Sequence, residues 1–163
     1  IIWCVFREDI INLERELLNQ GIECGTYFGS TTEAKREENV ERFNNDENFR
    51  VLICNPQTAG EGLNLIGCNP DRDDQTSYCG HEIFFSCNWS YIQRSQAEDR
   101  AHRRGTKKTV RITDLVMSYI DDEETVDAKI RSVVSSKELN AKSIQDVKGI
   151  LQDVLNIDVG SIL

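Results

Sequence analysis

The residues best suited to chemistry lie in the run Gln96-Ala97-Glu98-Asp99-Arg100-Ala101-His102-Arg103. On a helix, Gln96, Arg100 and Arg103 fall at i, i+4 and i+7, so one face carries an amide and two guanidiniums. A guanidinium is a planar fork of donors that matches phosphate oxygens two at a time. Two of them a turn apart suit an anion held between them; the plain alternative is a pair of surface ion pairs with Glu98 and Asp99. A second run, Ala59-Gly60-Glu61-Gly62-Leu63-Asn64-Leu65, follows an apolar strand-like stretch. Gly60 and Gly62 allow the backbone to approach a ligand closely, with Asn64 beside them; a tight turn is the ordinary use of such a pattern. No Gly-x-x-x-x-Gly-Lys-Ser/Thr loop occurs, and no acidic pair follows a strand to hold magnesium. Ser30 with Glu33 has the spacing of a helix capping box. Cys68, Cys79, His81 and Cys87 could supply four zinc ligands, but the close Cys-x-x-Cys pairs of structural sites are missing, which favours a loop with free thiols. Asp71, Asp73 and Asp74 read as a solvated loop.

The elements that must position these groups follow from pattern. The 163 residues fit one domain with room for a core. A net charge of −9 argues against the whole surface binding nucleic acid, so any such contact must be local. One local stretch fits: Arg94, Arg100, Arg103, Arg104, Lys107, Lys108 and Arg111 face only Glu98 and Asp99. The absence of a long apolar run excludes a membrane-spanning helix. The opening apolar residues carry no basic leader, which points away from a secretory signal and toward a piece of a longer polypeptide. Cys4, Cys24 and Cys54 sit in apolar runs, where cysteine behaves as a small buried hydrophobe, and reduced thiols in a cell interior are expected.

Strands are expected at 1–6, 23–28, 51–54, 82–85 and 109–116. Helices are expected from Asp9 to Gly21, from Ser30 to about Phe43, over 91–103 with Gly105 as the stop, over 125–134, and over 143–155. Strands alternating with helices imply an α/β fold, a three-layer arrangement with a mostly parallel sheet covered by helices on both faces. Ligands on such sheets bind at the carboxyl ends of the strands, so the loops after Phe28, Cys54 and Phe85 should share one functional edge.

Five segments, in order and at fitting spacing, resemble the second motor domain of Swi/Snf-type helicases of superfamily two. They are Gly29-Ser30-Thr31 with Arg36, Phe43 and Asn44; Gly60 to Leu65; Trp89; Gln96 to Arg103; and Glu124 to Ile130. The resemblance covers residues 1–135, leaving 136–163 as a helical extension. Departures are Pro56 where the family has threonine, Ser86 for aspartate, Ser90-Tyr91 for Asn-Pro, Thr106 for glutamine, and a long connection over 68–81.

The resemblance implies a RecA-like fold without the phosphate-gripping loop. It assigns Arg100 and Arg103 as arginine fingers, with Gln96 in the same cleft. Gly60, Gly62 and Asn64 would lie near ATP. Ser30, Thr31 and Thr58 would touch the nucleic-acid backbone. ATP and Mg²⁺ would be held mainly by an N-terminal RecA-like domain of the same polypeptide, and double-stranded DNA would be the expected track. No membrane partner and no metal site within this chain are implied. The isolated chain would be inactive. Two other readings stay open: a non-catalytic α/β binding module, and half of an RNA helicase.

Overall fold

A computed structural model describes residues 1–59, 62–68, 79–102, 109–119 and 124–155, with the backbone alone for 145–155. In chain order the elements are β1 (Ile2–Trp3), α1 (Arg7–Asn19), β2 (Cys24–Tyr27), α2 (Glu33–Asn45), β3 (Val51–Cys54), α3 (Pro56–Ala59), β4 (His81–Phe84), α4 (Tyr91–Glu98), β5 (Arg111–Asp114) and α5 (Val126–Leu155). The strands form one sheet in the order β2-β3-β1-β4-β5, and every pairing is parallel. A parallel sheet must be covered on both faces, and the period-2 alternation of its side chains shows how this is met. Trp3, Leu52, Cys54 and Phe84 point into the larger core with Phe43, Phe49, Leu65 and Ala97. Their neighbours Cys4 and Ile53 point the other way, onto Ile10, Leu13 and Leu17 of α1. Gly25 of β2 faces α2 at close range: a Cβ there would lie 2.6 Å from Phe49 Cζ and 2.8 Å from Asn39 Cγ, so only glycine fits.

The larger core contains a carboxyl group. Glu82 of β4 is fully buried; its Oε2 accepts from the Trp3 indole Nε1–H at 2.6 Å, while Oε1 has no partner. Burial pushes this carboxyl up to about 7, against the lowering effect of the Trp3 hydrogen bond. A raised acid binds more protons folded than unfolded, so stability falls as pH rises from 4.5, the ordinary value, to about 7, and the cost stays constant above. By linkage the full cost is about 3 kcal/mol. Glu82→Gln should therefore raise the urea midpoint at pH 8 and flatten its pH dependence between pH 5 and 7. Parallel curves for the two proteins would contradict this origin of the pH dependence.

Several local expectations are corrected. Asp9 does not cap α1; Phe6 occupies the N-cap, and Asp9 lies with Glu8 in the first turn, where acidic groups favour the helix dipole. The capping box at Ser30 does not form. The Thr31 amide closes a turn onto the Phe28 carbonyl at 3.0 Å, and α2 starts two residues later with Thr32 as its N-cap and no side-chain cap. The helix expected to end at about Phe43 runs on through Asn44 and Asn45. The expected helices at 125–134 and 143–155 are one continuous helix, α5. No glycine or proline interrupts residues 126–148, and the polar middle is helical in its own right. Lys142 pairs with Glu138 at 2.6 Å, and the hydroxyls of Ser136 and Ser143 bond the carbonyls four residues back.

Candidate nucleotide and nucleic-acid site

Parallel pairing brings the carboxyl ends of β2, β3, β1 and β4 to one edge, and Asn55 ties that edge together. Its Nδ2 donates to the carbonyls of Cys4 and Val5, its backbone N–H donates to Tyr27 O, and its Oδ1 accepts from the amides of Gln57 and Thr58. It therefore caps α3. Pro56, the departure from the family's threonine, occupies the first position of that helix, where a missing N–H costs nothing. Thr58 is half-buried within α3. Ser30 is exposed and Thr31 half-buried in the turn before α2, with Thr31 Oγ1 3.4 Å from Thr26 Oγ1.

Beyond α3 the chain passes through an irregular loop. Gly62 adopts φ 73°, a left-handed conformation open to glycine at no steric cost, and both Gly62 and Asn64 are exposed. The loop is held by Asn44, near the end of α2. Asn44 Nδ2 donates to Asn64 O at 2.9 Å, and Asn44 Oδ1 accepts from the amides of Ile66 and Gly67 at 3.0 and 3.1 Å. From the other side, Arg100 Nη1 donates to Leu63 O at 3.4 Å. The structure thus joins two sequence motifs separated by more than thirty residues: Arg100 lies against the loop carrying Gly62 and Asn64.

The expected single helical face is not how this is done. α4 ends at Glu98 with Asp99 as its C-cap, and the Arg100 amide bonds back to Ala97 O, a three-residue step that tightens the turn. Gln96 is exposed on α4, whereas Arg100 belongs to the turn beyond it. Arg103, with its neighbours Arg104, Gly105, Lys107 and Lys108, lies outside the described residues, as do Gly60, Glu61 and the acidic cluster Asp71, Asp73 and Asp74.

Arg94, grouped by sequence with the basic stretch, is structural. Its guanidinium pairs with Glu98 and Asp114 and stacks 3.5 Å over the Phe84 ring. Although burial opposes it, the hydrogen bonds it donates to Asp114 and Glu98 hold its pKa above the ordinary value. Asp114 also takes Arg131 of α5 at 2.7 Å, and Lys137 Nζ reaches Trp89 O at 2.7 Å, so α5 is fastened to α4. The i,i+4 spacing of Arg94 and Glu98 was legible in sequence; the distant Asp114 was not. Three of the four possible zinc ligands have other contacts. The Cys79 thiol donates to His81 O, His81 Nε2 bonds Thr113 Oγ1, and Cys87 lies beside Arg94. Among the described residues no three His, Cys, Asp or Glu side chains converge to hold a metal ion. All six cysteines are free thiols, and burial pushes Cys4 up to about 12 and Cys24 up to about 11.

Residues 1–71 match the helicase conserved C-terminal domain. The TATA-binding protein-associated factor mot1 of Schizosaccharomyces pombe is 34% identical over 119 residues, 71% of this chain and 6% of that protein. A protein of Mycoplasma pneumoniae named as an uncharacterized ATP-dependent helicase is 27% identical over 157 residues, 96% of this chain and 14% of that protein. The crystal structure of the C-terminal part of the Fun30 ATPase domain superposes with a TM-score of 0.65 at 26% identity, covering 82% of this chain and 38% of that one. The chain belongs to the helicase C-terminal domain family, in its Swi/Snf branch. The all-parallel sheet is accordingly the RecA-like fold of that family. This helicase domain spans about 6% of the length of the mot1 relative and about 14% of the bacterial one. In helicase-domain terms, the Gly62–Asn64 loop and Arg100 are the two segments whose joining could not be read from either motif alone.

Proposed function

We propose that this helicase C-terminal domain is the second half of an ATP-driven motor that moves along double-stranded DNA. The observation that carries the reading is the seating of Arg100 against the Gly62–Asn64 loop, a cation beside a loop whose Gly62 and Asn64 are exposed. Such a pair suits a polyphosphate arriving from outside the domain, since a guanidinium offers several donors in one plane. Arg100 and Arg103 reach across the cleft as arginine fingers, Gln96 lines it, and Gly60, Gly62 and Asn64 approach the nucleotide. Mg²⁺, which would be held with ATP mainly by an N-terminal RecA-like domain, would supply charge neutralisation on the phosphates.

Ser30 and Thr31, in the turn leading into α2, and Thr58 in α3 take phosphates of the nucleic-acid backbone. The first amides of α2 have no side-chain cap and are free to point at an anion. Phosphate contacts position without reading sequence, so binding is expected to be sequence-tolerant. Closure of the two halves on ATP and their release on hydrolysis then advance the grip. Residues 1–135 form this motor unit, with 136–163 as an extension.

The test is phosphate release by the full-length polypeptide with duplex DNA, single-stranded DNA or structured RNA. Duplex DNA should stimulate most. Stimulation by RNA alone would move the domain to the RNA helicases, and no stimulation by any of them would favour a binding module.

A further inference from the structure

We propose that Asn44 is a positioning residue that couples the nucleic-acid turn to the nucleotide loop, using α2 as a rigid strut; this rests on the motor reading above. The geometry is specific. The side of the Asn44 amide that meets two backbone N–H groups must be its oxygen, and the side that meets Asn64 O must be its nitrogen, so a single orientation satisfies all three contacts. One side chain thereby fixes residues 64, 66 and 67 of the loop whose residue 63 receives Arg100.

The helix that carries Asn44 is itself immobilised. Phe43 is buried in the larger core, and Asn39, also buried, donates to the Thr26 carbonyl of β2 at 2.9 Å. The close approach at Gly25 locks α2 against the sheet at the same point. Thirteen residues at 1.5 Å each make α2 about 20 Å long. Its N-terminus follows the Ser30-Thr31 turn, and its C-terminus holds the glycine loop. Locked in this way, α2 fixes the spacing between the turn that takes a strand and the backbone on which Arg100 rests, so that strand and nucleotide are held in one register. Neither end of this path requires Asn44 to touch nucleic acid or nucleotide.

The experiment measures ATP turnover by the full-length polypeptide as a function of duplex DNA, for wild type, Asn44→Ala, Asn44→Asp and, as a control, the exposed neighbour Asn45→Ala. Asn45 bonds only the Glu41 carbonyl of its own helix. A loop misplaced by about 1 Å can cost on the order of a hundredfold in rate. Asn44→Ala should lower DNA-stimulated kcat by about ten- to a hundredfold with little change in the DNA concentration for half-stimulation. Asn44→Asp retains an acceptor for Ile66 and Gly67 and should recover part of the rate. Asn45→Ala should match wild type. Thermal unfolding of each variant separates misplacement from loss of folded protein, and the Asp variant carries the test if the Ala variant fails to fold. Wild-type kcat in Asn44→Ala, or a fall in kcat no larger than the fall in folded protein, would overturn the coupling role alone. A wild-type protein indifferent to nucleic acid would overturn the motor reading and this inference with it.

Discussion

Arg100→Ala in the full-length polypeptide should reduce DNA-stimulated ATP hydrolysis by about 10³- to 10⁵-fold, the range attributed to an arginine finger. Affinity for ATP should be nearly unchanged. On the proposed reading the two effects separate because a finger would act on charge that develops in the transition state, whereas ground-state binding would rest on the other half of the motor. Arg100→Lys should recover little, since an ammonium cannot reproduce the planar fork. The isolated domain should remain folded, because Arg100 is half-buried in the turn after α4 and meets the loop at the Leu63 carbonyl rather than the hydrophobic core. Measured kcat and ATP affinity falling together, or a collapse of the fold, would assign Arg100 a structural role instead.

Trp3→Ala should be the most destabilising single change in the larger core. Trp3 is fully buried, stacks on Phe84 with ring centroids 6.1 Å apart, and supplies the hydrogen bond to the otherwise unpartnered Glu82 carboxyl. Truncating a buried tryptophan costs about 3–5 kcal/mol through lost transfer energy and the cavity left behind. Orphaning a buried carboxyl adds about 1–3 kcal/mol. Against a typical stability of about 5–15 kcal/mol, the sum should leave the domain marginal, with a melting temperature lower by more than about 10 °C at pH 8. At pH 5, where the buried Glu82 carboxyl is protonated and carries no charge, the deficit should be smaller. Trp3→Ala combined with Glu82→Leu should recover part of the loss. An equal deficit at both pH values would mean that the cavity alone accounts for it.

The layering of the fold was legible because parallel strands advertise themselves. Val51–Cys54 is a continuous apolar run, as a strand buried on both faces must be, and its bounds were read correctly. The shared edge after Phe28, Cys54 and Phe85 followed from the alternation of elements. Helix ends were legible only where the chain decides them locally. Ser30 had the right spacing for a cap, yet the turn closed by Phe28 and Thr31 takes priority and shifts the start to Glu33. α4 continues the helical pattern on paper past Arg100, but the turn after Glu98 delivers that arginine to the Leu63 carbonyl, a tertiary contact no periodicity encodes. The same holds for Arg94, whose Asp114 partner is twenty residues away, and for Asn44, whose three contacts lie on a loop reached only after β3 and α3. Residue types named the chemistry; pairing across the sheet edge decided which of them meet.

The most direct test compares phosphate release from ATP by this domain alone and by the full-length polypeptide, each with and without duplex DNA. The domain alone should release none above background, and the full polypeptide should show DNA-stimulated turnover that Arg100→Ala removes. Turnover by the purified domain itself, or stimulated turnover untouched by Arg100→Ala, would contradict the assignment of this chain as the finger-bearing half of the motor.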